Sequence, residues 1–288
     1  MAGSIAQTTA GPVEYAVVGS GHPVLVLHGS PGGIDQAAIM ARFLPDDLQA
    51  VLVSRPGYLG TELGERRGLD DQAGLMVALL DHLGIDRAGV LAWSGGGPTA
   101  YRLAALHPDR VTALVVLAGL SGAYTLPATD VADRLLLGTR TGAWLTRVLV
   151  AHAPEKVVEG TIQSEGSLTA DEARARVEEI FADEDKRRFV LDLAPTANHS
   201  GPRKEGYEHD LELFAAITSL ELERIHAPVL LVQGGADTDV TPDHTEHAAA
   251  TLPHAEVMVL ETGTHLAFYT HPDAARAQAR AAEVLRTG

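Results

Sequence analysis

The sequence lacks several features that would assign it to a particular class of protein. None of its 288 residues is cysteine, which excludes disulfides, thiolate metal sites and a cysteine nucleophile. Its longest apolar stretch, residues 111–120, is too short to span a bilayer. Residues 1–7 contain neither the basic region nor the apolar segment of a targeting signal. We therefore expect a cytoplasmic protein that makes no membrane contact.

Basic residues are also few. The chain has 22 Lys and Arg residues against 38 Asp and Glu residues, which gives a net charge of −16. Such a charge repels phosphate backbones and anionic membranes, so nucleic acid is not an expected partner. A hydrophobic content of 45% with 21% charged residues is typical of a globular chain. The length suffices for one large domain, with or without an insertion.

Short apolar runs alternate with helical segments over most of the chain. The runs are continuously apolar, which predicts strands covered on both faces of a parallel sheet. Strands that alternate with helices predict a mostly parallel, doubly wound α/β fold. An earlier segment, 13–18, is expected to pair at an antiparallel edge. The expected strands are 23–27, 50–53, 88–93, 111–118, 228–232 and 256–260, and the expected helices are 70–83, 98–106 and 272–285, with Pro272 at a first helical position.

The alternation is interrupted between residues 121 and 218. This stretch is rich in charge and has helical periodicity without a convincing strand. It therefore predicts a helical cap, 121–218, inserted into a core formed by 1–120 and 219–288. The helices expected within it are 135–150, 170–183, 185–193 and 210–217.

The apolar run 88–93 ends at Ser94, and three glycines follow directly. A strand that breaks sharply into a helix leaves its last side chain on an exposed corner, which suits a nucleophilic hydroxyl. The residues two before and two after that serine have to be small, and Ala92 and Gly96 are small. The pattern Ala-x-Ser-x-Gly therefore indicates a nucleophile, although a glycine-rich turn between strand and helix is common without one.

Three further loops supply possible partners for Ser94, each after a predicted strand. Acyl transfer needs two backbone N–H donors for the oxyanion, and Gly95 and Ser30 are the candidates. Asp237 or Asp239 can orient a histidine, with Asp237 the better placed, although an aspartate at this position is also a common helix N-cap. His265 follows the last predicted strand, but it is one of 13 histidines.

Other polar and aromatic residues have weaker signals. His244 and His247 have the i, i+3 spacing of a helical metal pair, but no third ligand is evident, so no metal is expected. The turn 53–61 is expected to shape a pocket wall and to pack near the loop that carries Ser30. Candidate pocket residues, each of which could equally be core packing, are Ile34, Tyr58, Trp93, Tyr124 and Trp144.

Taken together, the sequence resembles α/β-hydrolase-fold proteins that carry a helical cap, over nearly all its length. The resemblance implies a triad of Ser94, Asp237 and His265 in the family's chain order, with residues 121–218 roofing the pocket. Two departures are Ala92 in place of the first elbow glycine and Thr241 before Pro242, where the family often has valine directly before proline. Family features correspond to 28–31 (His-Gly-Ser-Pro), 55–60 (Arg-Pro-Gly-Tyr-Leu-Gly), 92–96 (Ala-Trp-Ser-Gly-Gly), 107–111 (His-Pro-Asp-Arg-Val), Asp237 with Val240 and Pro242, and His265.

A serine at the corner favours acyl chemistry, because family members that open epoxides or displace halide carry aspartate there. We expect hydrolysis of a carboxylic ester or lactone, with a small-molecule acyl substrate, no cofactor, and a monomer or homodimer. The alternatives are a proline-iminopeptidase-like aminopeptidase, a ligand-binding or sensor protein, and a lyase. For the aminopeptidase, the acids that would bind a free α-amine are Glu155, Glu159, Glu205 and Glu208; a solvated face is their simpler explanation.

Overall fold

The computed structural model describes residues 3–126 and 131–287. Within them a single mixed sheet has the strand order β1-β2-β4-β3-β5-β6-β7-β8. Strands β3 to β8 run parallel, and β1 and β2 add an antiparallel hairpin at one edge. The strands are β1 Ser4–Thr8, β2 Gly11–Val18, β3 His22–Leu27, β4 Leu48–Val53, β5 Ala88–Trp93, β6 Val111–Leu117, β7 Val229–Gly234 and β8 Ala255–Leu260.

Helices cover both faces of this sheet, which confirms the predicted α/β class. Alternate residues of β3 point to opposite faces: Val24 and Val26 join one apolar core, and Leu25 and Leu27 join the other. The helices are α1 Ile34–Met40, α2 Leu69–His82, α3 Gly97–Leu106, α4 Val131–Gly138, α5 Arg140–His152, α6 Pro154–Ser164, α7 Ala170–Ala182, α8 Glu184–Leu193, α9 Lys204–Ala215, α10 Pro242–Thr251, α11 Ala267–Thr270 and α12 Ala274–Arg286.

The edges of the sheet differ from the sequence-based expectation. Strand β2 is not an edge strand, because β1 pairs with its outer side. The sequence does not reveal β1, since Ala6 is its only buried residue and an apolar run is therefore missing. At the other edge, β8 alternates, with Val257 and Val259 exposed.

Helix boundaries differ most between β6 and β7. The expected helix 135–150 is two helices, because Thr139 caps α5 by accepting a hydrogen bond from the Gly142 N–H. Helix α6 was not expected, and α9 begins before residue 210. Near the end of the chain, Pro272 lies outside α12, whose N-cap residue is Asp273.

Among the described residues between β6 and β7, every helix or strand is a helix, apart from an isolated bridge between Gly166 and Asp237. Its division from the rest of the chain as a cap stays a prediction. Across the described ranges, no helix has both the length and the apolar character needed to cross a membrane.

Strand register brings the predicted site together. Leu27, the last residue of β3, pairs with Ala92 near the end of β5, so the loop after β3 lies beside Ser94. Strands β7 and β8 pair over Val229–Gly234 and Ala255–Leu260, so the loops that carry Asp237 and His265 also leave the sheet side by side. The carboxyl edge of the sheet therefore gathers all four loops.

Candidate active site

Ser94 lies on a sharp corner between β5 and α3. Its φ is 53°, in the left-handed region that non-glycine residues rarely adopt. The next turn approaches β3 closely, because a Cβ built on Gly96 would lie 2.6 Å from the Leu27 carbonyl oxygen. The small residue two positions after the serine is therefore a steric requirement of this corner.

The loop after β3 adjoins this corner. A Cβ built on Gly29 would lie 3.3 Å from Ser94 Cβ, and one built on Gly95 would lie 2.8 Å from Ser30 Cβ. The backbones of the two predicted oxyanion donors, Ser30 and Gly95, are thus neighbours beside the Ser94 side chain. Side chains larger than hydrogen at positions 29 or 95 would crowd this space.

His265 and Asp237 form a buried pair. His265 Nδ1 lies 2.8 Å from Asp237 Oδ2, and both side chains are almost completely buried. Asp239, the rival acid, lies on the other side of the ring, with Oδ2 4.0 Å from His265 Nε2 and a side chain that is 46% exposed. The structure therefore brings Asp237 to the nitrogen that an orienting carboxylate would contact.

Both oxygens of Asp237 are held in place. Oδ1 accepts hydrogen bonds from the backbone N–H groups of Asp239 (2.9 Å) and Val240 (3.0 Å), and Oδ2 accepts one from Gln233 Nε2 (3.2 Å). Gln233 is itself buried at the end of β7, where its Oε1 accepts from the Thr245 hydroxyl. Gln233 was not among the predicted site residues, although a polar amide directly after the apolar run 229–232 could have indicated one.

One face of the His265 ring stacks on Trp93, with the ring centroids 5.3 Å apart and the ring planes inclined by 27°. Within the described residues the Ser94 hydroxyl forms no hydrogen bond with this ring, and Nε2 faces Asp239. Hydrogen bonds of this kind often tighten only when substrate binds. Burial lowers the pKa of His265, but nearby Asp237, Asp239 and Glu165 outweigh burial and raise it to about 10.

A buried polar network holds the loop that carries Ser30. Arg55, with no exposed surface, donates to both oxygens of Asp210 at 3.0 and 2.6 Å and to the carbonyl oxygens of His28 and Gly29. Its backbone N–H donates to His28 Nε2, so the His28 proton is on Nδ1 and points to the Gly29 carbonyl. Burial keeps the pKa of His28 well below its usual value.

The same network fixes the Ser30 side chain. The Tyr58 hydroxyl donates its only proton to Asp210 Oδ2 at 2.5 Å, so the Ser30 hydroxyl, 2.9 Å away, donates to Tyr58. The Ser30 hydroxyl proton therefore points away from the corner, which leaves the backbone N–H as the group available for an oxyanion. The turn 53–61 therefore packs against the loop 28–31 as predicted, and its part in a pocket wall stays a prediction.

The predicted pocket residues occupy different surroundings. Trp93, Ile34 and Tyr58 are all buried, and of these Trp93 stacks on His265. Tyr124 is half-buried, and burial together with the charges of Asp239 and Asp237 raises its pKa. Trp144 is 60% exposed on α5, and none of the hydrogen bonds or ring contacts that define the site among the described residues involves it.

Acidic residues of the helical segment also separate into two groups. The four named for an aminopeptidase, Glu155, Glu159, Glu205 and Glu208, are all exposed. A fifth, Glu165, was not among the predicted residues but lies at the site, where one oxygen of its carboxyl is within 4.8 Å of a carboxylate oxygen of Asp239 and a ring nitrogen of His265.

The histidine pair with helical spacing, His244 and His247, lies against Ser121 and not beside His265.

The side chains of Glu165, Asp239 and His265 offer the ligand types that a divalent cation takes. A cation bound there would occupy the His265 nitrogen not held by Asp237, which is the nitrogen a general base needs. A cation at this position would therefore be incompatible with a general-base role for His265.

Fold and site together match one family. The family model described as alpha/beta hydrolase fold matches residues 22–272, so the chain belongs to the α/β-hydrolase-fold family.

Similar proteins agree with this assignment. The solved structure of an α/β hydrolase fold protein from Nakamurella multipartita is 51% identical with a TM-score of 0.98, and 100% of both chains is covered. The uncharacterized hydrolase YcgS of Bacillus subtilis is 26% identical over 89% of each chain. A 2-hydroxy-6-oxononadienedioate/2-hydroxy-6-oxononatrienedioate hydrolase of Paraburkholderia phymatum is 28% identical over 91% of this chain and 87% of its own.

Proposed function

We propose that the protein is a serine hydrolase that cleaves a carboxylic ester or lactone through an acyl-enzyme on Ser94. The observation that carries this proposal is the convergence of four loops. A left-handed serine corner adjoins Ser30 and Gly95, and the His265–Asp237 pair is hydrogen-bonded at 2.8 Å. A nucleophile, a general base, its orienting acid and two oxyanion donors are the groups that acyl transfer requires.

In this mechanism Ser94 Oγ attacks the substrate carbonyl while His265 accepts its proton. Asp237 holds the imidazole in the tautomer that has its proton on Nδ1, and the N–H groups of Ser30 and Gly95 stabilise the oxyanion. His265 then gives the proton to the leaving alkoxide, and water attacks the acyl-enzyme with His265 again as base. The helical segment 121–218 would cover the substrate as a cap.

Charge at the site bears on which substrate fits. The relative from Paraburkholderia phymatum is named for a dioate, which carries two negative charges. Here the charged group that faces His265 besides Asp237 is the carboxylate of Asp239, which would repel an anionic substrate, and Glu165 adds a further negative charge once it ionises above about pH 8. This favours a neutral ester or lactone.

The Asp239 carboxylate also supports a second candidate, an aminopeptidase of the proline-iminopeptidase type, because it would attract a free α-amine. The four acids predicted for that role are exposed and give it no support. Activity on a prolyl-naphthylamide, set against a panel of short p-nitrophenyl esters and lactones, separates the two candidates.

Replacement of the nucleophile tests the proposal. We expect Ser94→Ala to lower ester hydrolysis by at least about 10³-fold, because the covalent intermediate cannot form. A fluorophosphonate probe should label the wild type but not Ser94→Ala. As a control, it should also label Ser4→Ala, in which an exposed serine of β1 is replaced. Equal hydrolysis by wild type and Ser94→Ala would overturn the proposal, and a folded wild type that the probe does not label would favour a ligand-binding protein.

A further inference from the structure

Residues 165–167, directly after α6, connect to both loops that carry the proposed acid and base. The Glu165 carbonyl oxygen accepts a hydrogen bond from the His265 N–H at 3.0 Å, and the Ser167 N–H donates to the Ala236 carbonyl at 2.8 Å. Between them Gly166 forms a bridge with Asp237. We call residues 165–167 the clasp.

The clasp allows little movement, because its contacts are backbone contacts at close range. A Cβ built on Gly166 would lie 2.6 Å from Thr264 Cγ2 and 3.0 Å from the Ala236 carbonyl oxygen. Glu165 itself is fixed by its own N–H, which donates to the Thr161 carbonyl at the end of α6. Its side chain therefore starts from a rigid position beside His265.

Within the part of the chain that the structure describes, no hydrogen bond explains the position of the Glu165 carboxyl. Its Oε2 is buried and forms no hydrogen bond with any described residue. One of its oxygens lies within 4.8 Å of ligand atoms of Asp239 and His265. The other titratable groups that face this carboxyl are Asp237 and Tyr124. A buried polar atom without a partner is costly in free energy, so a role for it is expected.

We propose that Glu165 is a positioning residue of the hydrolase site, whose carboxyl, held beside the imidazole by the clasp, sets the pH at which His265 becomes a general base. This inference rests on the proposed function for its catalytic consequence. Its electrostatic part concerns His265 alone and can be measured without any substrate.

The charges explain the direction of the effect. Burial and the neighbouring Asp239 carboxylate raise the pKa of Glu165 to about 8, so its carboxyl is protonated at neutral pH and ionised above. Once ionised it adds to Asp237 and Asp239 in stabilising the imidazolium of His265. The two groups lose their protons in two coupled steps, and the neutral imidazole forms mainly in the upper one. Without the Glu165 carboxyl a single, lower step remains.

The direct test is a titration of the His265 ring by NMR in wild type and Glu165→Gln, with the His265 signals assigned by their loss in His265→Asn. Gln keeps the shape of the side chain and the backbone contacts of the clasp. We expect the His265 pKa to fall by about one pH unit or more in Glu165→Gln, since one of its nearby negative charges is gone. Glu159→Gln, an exposed change on α6, should leave it in place.

The pH profile of kcat/KM supplies a second readout. Its acid limb reports the base of the free enzyme, so it should move to lower pH in Glu165→Gln. We expect kcat/KM to rise several-fold between about pH 8 and 10, where the wild-type Glu165 is ionised, and to change little at neutral pH, where Glu165 is protonated. Glu165→Asp keeps the charge and should keep the limb closer to that of the wild type, which also covers the case in which Glu165→Gln folds poorly. A merely structural role would lower activity at every pH without moving the limb.

The two failures are distinguishable. Coincident His265 titrations in wild type and Glu165→Gln would overturn the role of Glu165, even if Ser94-dependent hydrolysis persists. A shifted titration in a protein without Ser94-dependent hydrolysis would overturn the proposed function and leave the electrostatic coupling established.

Discussion

Asp237 and Asp239 lie two residues apart in one loop, yet they approach the imidazole of His265 from opposite sides. Asp237 Oδ2 contacts Nδ1 at 2.8 Å, and Asp239 Oδ2 lies 4.0 Å from Nε2. Asp237 is buried and accepts hydrogen bonds from four N–H groups, whereas the Asp239 side chain is 46% exposed. At this scale the two carboxylates have different tasks, because only one can select the tautomer of the ring.

Matched substitutions separate these tasks. We expect Asp237→Asn to lower kcat for ester hydrolysis by about 10²–10⁴-fold, because the amide favours the wrong tautomer of His265. Asp239→Asn should cost far less, since it changes a charge near Nε2 and breaks no contact with Nδ1. Steady-state kinetics with a p-nitrophenyl ester measure both. A larger loss in Asp239→Asn than in Asp237→Asn would assign the acid to Asp239.

Site residues that follow a predicted strand could be predicted from the sequence, and the site residue that the helical segment contributes could not. Ser94, Asp237 and His265 each follow an apolar run, so their place at the carboxyl edge follows from the parallel sheet. Glu165 lies on the connection after α6, a helix that the apolar pattern did not reveal. Its contact with His265 spans 100 positions of chain, which no local pattern encodes.

At the scale of secondary structure elements, α9 docks against the turn after β4 with almost no space between backbones. A Cβ built on Gly57 would lie 2.5 Å from Gly206 Cα, and the Gly206 N–H donates to the Gly57 carbonyl at 3.0 Å. This approach lets Asp210 reach Arg55 and Tyr58. A buried ion pair of this kind is costly to break on one side only, because the remaining charge stays buried.

Gly74, within α2, and Gly84, just after its end, give a stability prediction at this scale. A Cβ on Gly74 or on Gly84 would meet nothing within 4 Å, but Gly84 has a φ of +68° and Gly74 lies within the helix. We expect Gly74→Ala to raise the free energy of unfolding by about 0.5–1 kcal/mol and Gly84→Ala to lower it by a similar amount. Urea unfolding measures both changes. A stabilising Gly84→Ala would show that φ does not decide the outcome.

Element boundaries were less predictable than element types. The break between α4 and α5 depends on the cap at Thr139, which a continuous apolar pattern does not reveal. Strand β1 contributes one buried side chain, so it is defined by its hydrogen bonds with β2 and not by hydrophobicity. The gathering of loops at the carboxyl edge followed from the alternation of strands and helices, whereas the order of strands in the sheet, with β4 between β2 and β3, did not.

At the scale of the whole molecule, folding free energy is coupled to the proton on His265. Asp237, Asp239 and Glu165 raise its pKa from 6.5 to about 10 despite burial. A base whose pKa is higher in the folded state contributes stability that is fully present below pH 6.5 and is lost as pH rises through the folded value. Glu165, whose pKa is raised from 4.5 to about 8, loses its contribution between those two pH values.

We therefore expect the free energy of unfolding to fall by a few kcal/mol, an order-of-magnitude figure, as pH rises from 6.5 to about 10. The decline should be smaller in His265→Asn, which cannot carry the charge. Urea unfolding curves recorded across this pH range for both proteins measure the difference. Parallel declines in the two proteins would assign the effect to other groups.

The order in which the chain supplies the site has a consequence for its synthesis. Ser94 and the loop with Ser30 emerge from the ribosome well before Asp237 and His265, and the helical segment is translated between them. The residues of the serine corner are therefore present in the nascent chain before the proposed base. Under the proposed function, the Ser94 hydroxyl would lack its general base until the loop after β8 has been synthesised, so acyl chemistry would wait for that loop.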